Sequence, residues 1–176
     1  MTLVYNDVKA KNLAGKAVVN MSVGGSKSAA VNRVVTELAA AGITVVAAAG
    51  NENLDASTSS PASAPAAITV GAIDAATDAR AEFSNFGPAV DIFAPGVDVQ
   101  SVGFTSDTAV KTLSGTSMAC PHVAGLAAYL MSLEGLSTPD AVVTRMIELG
   151  TASGARVTDP GKGTTNPIIA NNGSGQ

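Results

Sequence analysis

The chain has 176 residues, of which 46% are hydrophobic and 14% are charged, and its formal net charge is −4. This composition excludes an intrinsically disordered chain, because disorder requires low hydrophobicity and high net charge. Lysine and arginine are scattered and tryptophan is absent, so neither a basic stripe nor an aromatic platform for nucleic acid is expected. The longest apolar runs are about ten residues, too short for a membrane span. We therefore predict one globular domain that binds neither nucleic acid nor a membrane.

Two residue types occur once each and restrict the chemistry of the chain. The single cysteine, Cys120, excludes an internal disulfide and a cysteine-rich metal site. The single histidine, His122, excludes any mechanism that needs two histidines from one chain. Residues 1–7 lack the basic start and the long apolar stretch of a signal peptide, so we predict no signal peptide in this chain.

The first third of the chain predicts a strand–helix–strand unit. An amphipathic helix over 3–14 precedes a buried strand over 17–23. A helix follows over 28–41, where apolar residues recur with helical spacing, and Gly42 is positioned as a left-handed C-cap. The apolar run 43–48 is a second buried strand. Two such strands joined by a helix are expected to be parallel, with a right-handed crossover.

The remaining elements are predicted from the same signals of apolar runs, helical spacing and turn residues. They are a polar loop over 50–65, strands over 68–73 and 90–94, a hairpin of strands 99–102 and 110–113, helices over 117–133 and 139–149, and a loose tail over 164–176. Strands alternating with helices predict an α/β fold with a mostly parallel sheet.

The segment 114–125 leads from the predicted hairpin into a helix and carries Ser117 at or beside the helix N-terminus. Free backbone N–H groups and the helix dipole favour negative charge there. A serine nucleophile needs this setting, because its hydroxyl must be exposed and the oxyanion needs a donor. A serine before a helix is also an ordinary N-cap, so the position alone supports both interpretations.

Two further segments lie where strands end, at the edge of a parallel sheet that usually binds ligands. Asn51 follows the strand 43–48, although Gly50 and Asn51 also suit a simple turn. Residues 24–28 follow the first strand and loosely suggest a phosphate-binding loop. That motif needs glycine directly before the lysine, and Ser26 precedes Lys27, so we reject phosphate binding.

Three motifs in chain order are similar to those of the subtilisin-like serine proteases. They are Ser-x-Gly-Gly from Ser22, Ala-Ala-Gly-Asn from Ala48, and Gly-Thr-Ser-Met-Ala from Gly115. Further strings, at 60–63, 69–72, 83–87 and 91–96, look most like the proteinase K branch, which is common in fungi. The resemblance implies a three-layer subtilisin-like fold whose N-terminal part is missing. Residues 1–170 would be a partial catalytic domain and 171–176 a flexible tail.

The resemblance also implies a role for each matching residue. Ser117 would be the nucleophile, and the Asn51 side chain would donate a hydrogen bond to the oxyanion. The substrate would pair as an added strand along one wall and enter a pocket that has no buried charge, which favours apolar or aromatic side chains and broad specificity. The wall residues are Ser22, Val23 and Gly24 on one side and Ala48, Ala49 and Gly50 on the other.

The family's catalytic Asp and His lie in D-T-G and H-G-T-H motifs, and neither motif is present in this chain. His122 follows Ser117 by five residues, which turns it about 140° away around a helix, and in the family it is structural. We therefore expect a serine endopeptidase of protein and peptide substrates whose present chain is inactive without an N-terminal segment of the same protease. The alternative is a non-catalytic fragment that acts as an antigen, such as a fungal allergen, or as a binding module.

Other serine hydrolases fit less well. The α/β-hydrolase motif needs glycine where Ala119 stands, and a Ser-Lys arrangement needs lysine where Cys120 stands.

The resemblance implies no cofactor for the chemistry and one structural calcium ion. The Asp91 carboxylate and the carbonyls of Pro65 and Ala67 would hold it, because calcium prefers oxygen ligands. A solvated or helix-capping Asp91 is the alternative. The parent protein would be secreted or vacuolar. In a secreted protein the sequon at Asn172 is a candidate glycan site, whereas the sequon at Asn20 lies on a predicted buried strand.

Overall fold

The computed structural model describes residues 1–163 and 165–174. Its helices are α1 (Thr2–Ala10), α2 (Ala29–Ala40), α3 (Thr116–Glu134) and α4 (Pro139–Ala152). Its strands are β1 (Ala17–Met21), β2 (Gly25–Ser26), β3 (Ile43–Ala48), β4 (Ser59–Ser60), β5 (Ala67–Asp74), β6 (Ala79–Arg80), β7 (Ile92–Pro95), β8 (Val99–Val102) and β9 (Val110–Leu113).

The central sheet is mostly parallel. β1 pairs with β3, β3 with β5 and β5 with β7, all in parallel, while the short β6 pairs antiparallel with the end of β5. The predicted strand–helix–strand unit is confirmed, since Ala17 lies opposite Ile43 in the β1–β3 register. The predicted α/β fold class is confirmed as well.

Helices cover both faces of the sheet and produce three layers. All six residues of β3 are buried, because alternate side chains enter different cores. Val46 and Ala48 pack with α3 and α4, whereas Val45 and Ala47 pack with α1 and α2. This double coverage explains why β3 reads as a continuous apolar run in the sequence.

Several boundaries differ from the sequence predictions. α1 ends at Ala10 rather than 14, and β1 ends at Met21 rather than 23. The predicted loop 50–65 contains a short 3₁₀-helix, Ala56–Thr58, followed by β4, which pairs with β2. These two-residue strands are polar, so no apolar alternation marks them.

The prediction of a loose tail from 164 onward is wrong over residues 165–170. Thr165 and Ile168 are buried, and the Ala170 N–H donates a hydrogen bond to the Phe93 carbonyl. The segment lies along β7 through single backbone bridges, which a stretch rich in Asn and Gly does not predict. Residues 164, 175 and 176 of that prediction lie outside the described residues.

Two regions of the described chain leave apolar side chains exposed. The hairpin of β8 and β9 carries Val102 and Phe104 at 87% and 90% exposure. β1 has a sheet neighbour, β3, on one side only, and nearby Leu3 of α1 is exposed. In the described ranges, no helix has both the length and the hydropathy to cross a bilayer.

Gly71 of β5 and Gly125 of α3 form a matched pair for a test of packing. A Cβ on Gly71 would collide with the buried ring of Phe93, whereas a Cβ on Gly125 would have no atom within 4 Å. We expect Gly71→Ala to lower the free energy of unfolding by about 1–3 kcal/mol. Gly125→Ala should raise it by about 1 kcal/mol, because alanine favours the helix. Urea unfolding followed by circular dichroism measures both, and equal shifts would contradict the packing.

Candidate active site

Three segments meet in one cleft of about 410 Å³. The ends of β1 and β3 reach the same edge of the sheet because the strands are parallel, and the N-terminus of α3 lies against them. The residues lining the cleft are Ser22, Val23, Gly24, Gly25, Ser26, Ala48, Gly50, Asn51, Glu52, Leu54, Thr58, Ser59, Asn85, Thr116 and Ser117.

Ser117 is the second residue of α3, and the N-cap is Gly115. The interpretation of Ser117 as an ordinary N-cap is therefore wrong. Its hydroxyl donates a hydrogen bond to the Ser22 carbonyl at 3.3 Å, and the Ser22 hydroxyl donates to the Ser117 carbonyl at 2.8 Å. The Ser117 N–H has no acceptor among the described residues, as expected for the first turn of a helix.

Asn51 is fixed by its amide oxygen. Oδ1 accepts hydrogen bonds from the Thr116 N–H and from the Thr116 hydroxyl, both at 2.9 Å. The Thr116 hydroxyl also accepts a bond from the Gly50 N–H at 3.2 Å. Because two donors demand an oxygen at that position, Nδ2 is the free end of the amide, and its hydrogens remain available in the cleft.

A buried asparagine, Asn85, holds the loop that carries Asn51. Its Nδ2 donates to the Ala49 carbonyl at 2.8 Å and to Glu52 Oε2 at 2.9 Å. Its Oδ1 accepts from the Glu52 and Leu54 N–H groups at 3.1 and 2.9 Å. Sequence reasoning noted the string 83–87 only as a family resemblance and missed this role. A polar residue amid small and aromatic neighbours was the available signal.

Five of the six predicted wall residues line the cleft, and Ala49 does not. Ala49 is fully buried, and its carbonyl faces Asn85 instead. A charged residue outside the predicted walls also lies in the cleft. The exposed Glu52 lines the cleft, and Asn85 holds its carboxylate.

The other two reactive side chains of α3 are not arranged to assist Ser117. Cys120 is fully buried, and burial raises the pKa of its thiol to about 11 against the opposing hydrogen bonds to Ser22 and Met21. The thiol therefore stays protonated and is a poor nucleophile. His122 is exposed, with Nδ1 2.8 Å from the Met118 carbonyl, and it lines a separate cavity of about 280 Å³.

The three predicted calcium ligands lie around the start of β5. Ala67 is its first residue, Pro65 is exposed just before it, and Asp91 lies opposite Thr69 just ahead of β7. Asp91 Oδ2 accepts a hydrogen bond from the Thr69 N–H at 2.7 Å. Burial raises the pKa of the Asp91 carboxyl to about 6, and that hydrogen bond offsets part of the rise.

The model of the subtilase family, Peptidase S8, matches residues 3–169. The chain belongs to the subtilase family. It is 56% identical over 161 residues to a subtilisin-like protease 2 of Pseudogymnoascus destructans, and the match covers 92% of this chain and 39% of that relative. It is 52% identical to an alkaline protease 1 of Aspergillus clavatus, and the match covers 94% of this chain and 40% of that relative.

A solved structure, that of a cold adapted subtilisin-like serine proteinase, is 40% identical to this subtilase chain. The TM-score is 0.82, and the match covers 94% of this chain and 58% of that one. The predicted subtilisin-like fold is thereby confirmed. The chain spans about two fifths of the length of the curated relatives described above.

The role of Asn85 can be tested by removal of its side chain. Asn85→Ala leaves two backbone N–H groups and one carbonyl without their partner, so we expect the free energy of unfolding to fall by about 2–4 kcal/mol. The control is Asn6→Ala on the exposed side of α1, which should change it by about 0.5 kcal/mol or less. Chemical unfolding curves of the three proteins measure the difference. Similar curves for Asn85→Ala and the parent would contradict the stabilising role of the Asn85 hydrogen bonds.

Proposed function

We propose that this chain carries the nucleophile and the oxyanion site of a subtilisin-type serine endopeptidase. The observation in favour is that the cleft contains the Ser117 hydroxyl together with two hydrogen-bond donors. The Ser117 N–H is free at the start of α3, and the Asn51 amide is fixed by Thr116 with Nδ2 available. Two such donors suit the negative charge that develops on a peptide carbonyl oxygen.

In the proposed reaction, Ser117 Oγ attacks the scissile carbonyl carbon, and a carbon–oxygen bond forms as the carbonyl oxygen becomes negative. The hydroxyl proton must pass to a base at this step. In this chain the hydroxyl donates to the Ser22 carbonyl, which is too weak a base to accept the proton. The only histidine of the sequence, His122, is not among the residues lining the cleft. The chain alone is therefore expected to hydrolyse no peptide.

An N-terminal segment of the same protease would supply the missing base and its orienting carboxylate. The match to only about 40% of the relatives' length is consistent with such a segment. The outer edge of β1 has no paired strand among the described residues, and that strand leads into Ser22. A segment that pairs there would cover an apolar edge and lie beside the nucleophile.

The substrate would be an extended peptide. Ser22, Val23 and Gly24 lie just past the end of β1 and expose backbone groups on which a peptide can pair as a strand. The side chain before the cleaved bond would enter the space between Gly24 and Ala48. Mostly apolar or small walls favour aromatic and aliphatic side chains, and Glu52 at the margin would tolerate a basic one. The parent would be secreted or vacuolar, because so broad an endopeptidase must be kept from cytosolic proteins.

The proposed reaction can be tested in a hybrid enzyme. The part of the Aspergillus clavatus alkaline protease that precedes the matched region would be fused to this chain, which is 52% identical to the rest. We expect the hybrid to hydrolyse a chromogenic peptide with an aromatic residue before the cleaved bond, and Ser117→Ala to abolish hydrolysis. Asn51→Ala should lower kcat by about 10²–10³, the loss measured in subtilisin, itself a member of this family. Hydrolysis by the hybrid that persists in Ser117→Ala would overturn the assignment of the nucleophile. Ser117-dependent turnover by the unfused chain would overturn the requirement for a base from an N-terminal segment.

The residues around Asp91 fit a calcium ion. The carboxylate is partly buried, Oδ1 has no hydrogen-bond partner among the described residues, and no cationic side chain there pairs with it. We propose that this carboxylate and the carbonyls of Pro65 and Ala67 would hold the ion. Calcium would stabilise the fold and take no part in the chemistry, which needs no cofactor.

The pKa of Asp91 gives this proposal a measurable sign. Because the pKa is about 6 in the folded chain and 3.8 for an unperturbed carboxyl, the folded state binds the proton more tightly. Protonation of Asp91 therefore stabilises the folded state. This contribution to the free energy of unfolding is fully present below about pH 4 and is lost as the pH rises through about 6. We expect calcium to raise the Tm at neutral pH and to have little effect at about pH 4. Asp91→Asn should be more stable than the parent at neutral pH without calcium and should not respond to it. Differential scanning calorimetry with calcium, and with magnesium as the control ion, measures these shifts, and equal responses of both proteins would contradict the site.

A further inference from the structure

The sequence contains two Asn-x-Ser sequons, and both asparagines are exposed, but the structure gives the two sequons different backbone conformations and contacts. One is Asn172-Gly173-Ser174 and the other is Asn20-Met21-Ser22. A sequon is a minimal signal for attachment of an oligosaccharide to the asparagine amide in the secretory pathway. Whether it is used depends on whether the enzyme can reach the amide and the hydroxyl together.

The first sequon forms a compact turn on the surface. The hydroxyl and the N–H of Ser174 both donate to Asn172 Oδ1, at 2.7 and 3.0 Å. Both Asn172 and Ser174 are exposed, and Asn172 Nδ2 has no acceptor among the described residues. The bend therefore presents the free amide nitrogen and the serine hydroxyl on one exposed loop.

This turn lies against α4. Gly173 has φ +77°, and a Cβ at that position would come within 2.9 Å of the Leu149 side chain of α4. The Gly173 N–H also donates to Asn171 Oδ1 at 2.7 Å. The left-handed backbone conformation therefore favours glycine in the middle position, and the turn lies against the Leu149 side chain of α4.

The side chains of the second sequon are engaged in hydrogen bonds within the fold. Asn20 and Met21 belong to β1, where Met21 is buried, and the Ser22 hydroxyl donates to the Ser117 carbonyl at 2.8 Å. Asn20 Nδ2 donates to Ser22 Oγ at 3.0 Å, so the amide nitrogen is engaged. Asn20 lies opposite Val46 in the β1–β3 pair, which keeps this segment extended and prevents the turn that the first sequon adopts.

We propose that Asn172, and not Asn20, is an N-glycosylation site of this protein. The donor is an oligosaccharide linked through a diphosphate to a polyisoprenoid lipid. The Asn172 amide nitrogen forms a bond to the first sugar carbon, that carbon's bond to the phosphate oxygen breaks, the lipid diphosphate leaves, and the amide loses one proton. Modification in the native organism rests on the secretory or vacuolar location under the proposed function.

The first sugar would sit at the rim of the separate cavity of about 280 Å³. Asn172 lines this cavity with Pro95, His122 and Leu126. The apolar floor suits the flat face of an N-acetylglucosamine, and His122 offers a polar edge. The glycan would thereby shield the exposed side of α3 without entering the cleft, whose lining residues are all different.

The test is expression of the 176-residue chain in yeast behind an added secretion signal. Trypsin releases the two sequons on separate peptides, residues 163–176 and residues 17–27. Endoglycosidase H leaves one N-acetylglucosamine on a used asparagine, which also distinguishes modification from deamidation at the Asn172-Gly173 pair. Secreted and cell-retained protein are both analysed by mass spectrometry, so poor secretion does not remove the measurement.

We expect the sugar on peptide 163–176 and none on peptide 17–27. Asn172→Gln and Ser174→Ala should remove it, Ser174→Thr should keep it, and Asn20→Gln should leave it unchanged. An unmodified peptide 163–176 in retained and secreted chain, or a sugar on Asn20, would overturn the inference. The added signal and the mass readout make this result independent of proteolysis. Failure here leaves the proposed function standing, and an inactive hybrid protease leaves the glycan site standing.

Discussion

The hydrogen bonds between Asn51 and Thr116 join the end of a strand to the start of a helix, and the geometry of the cleft depends on them. Thr116 gives both its backbone N–H and its hydroxyl to one amide oxygen. The first helix N–H, which has no partner inside α3, is thereby satisfied by the residue that follows β3 and Gly50. The same two bonds set the orientation of the amide, so one arrangement both caps the helix and orients the proposed oxyanion donor.

Asn85 provides the support behind that arrangement. The segment 49–54 leaves the sheet with several backbone groups that no strand can pair, and Asn85 satisfies three of them from one buried side chain. A buried polar group is costly unless its hydrogen-bonding capacity is used, and here each end of the amide has two partners. These hydrogen bonds fix the conformation of the loop without regular secondary structure, as the proposed role of Asn51 requires.

The sequence predicted the fold where the pattern of one segment decides its structure. The apolar run 43–48 and the hairpin strands 99–102 and 110–113 match β3, β8 and β9. Prediction failed where distant segments decide the structure. β2 and β4 are polar pairs that exist only because residues far apart in the chain meet, and residues 165–170 are ordered by β7.

The candidate site shows the same division. Ser117 and Asn51 were named from short motifs, and the cleft contains both. The role of Asn85, the burial of Ala49 and the charge of Glu52 in the cleft all depend on how the loop folds back on itself. Neither residue type nor spacing carries that information.

Under the proposed function, the reciprocal bonds between Ser22 and Ser117 would couple the binding of substrate to the state of the Ser117 hydroxyl. A peptide strand that pairs beyond β1 brings its own N–H group toward the Ser22 carbonyl, where the Ser117 hydroxyl now donates. The peptide N–H and the Ser117 hydroxyl would compete for the Ser22 carbonyl. Substrate binding would therefore weaken the hydrogen bond that holds the hydroxyl. Substrate binding and release of the Ser117 hydroxyl would thus be thermodynamically linked, and in the empty cleft the hydroxyl stays bound to the Ser22 carbonyl.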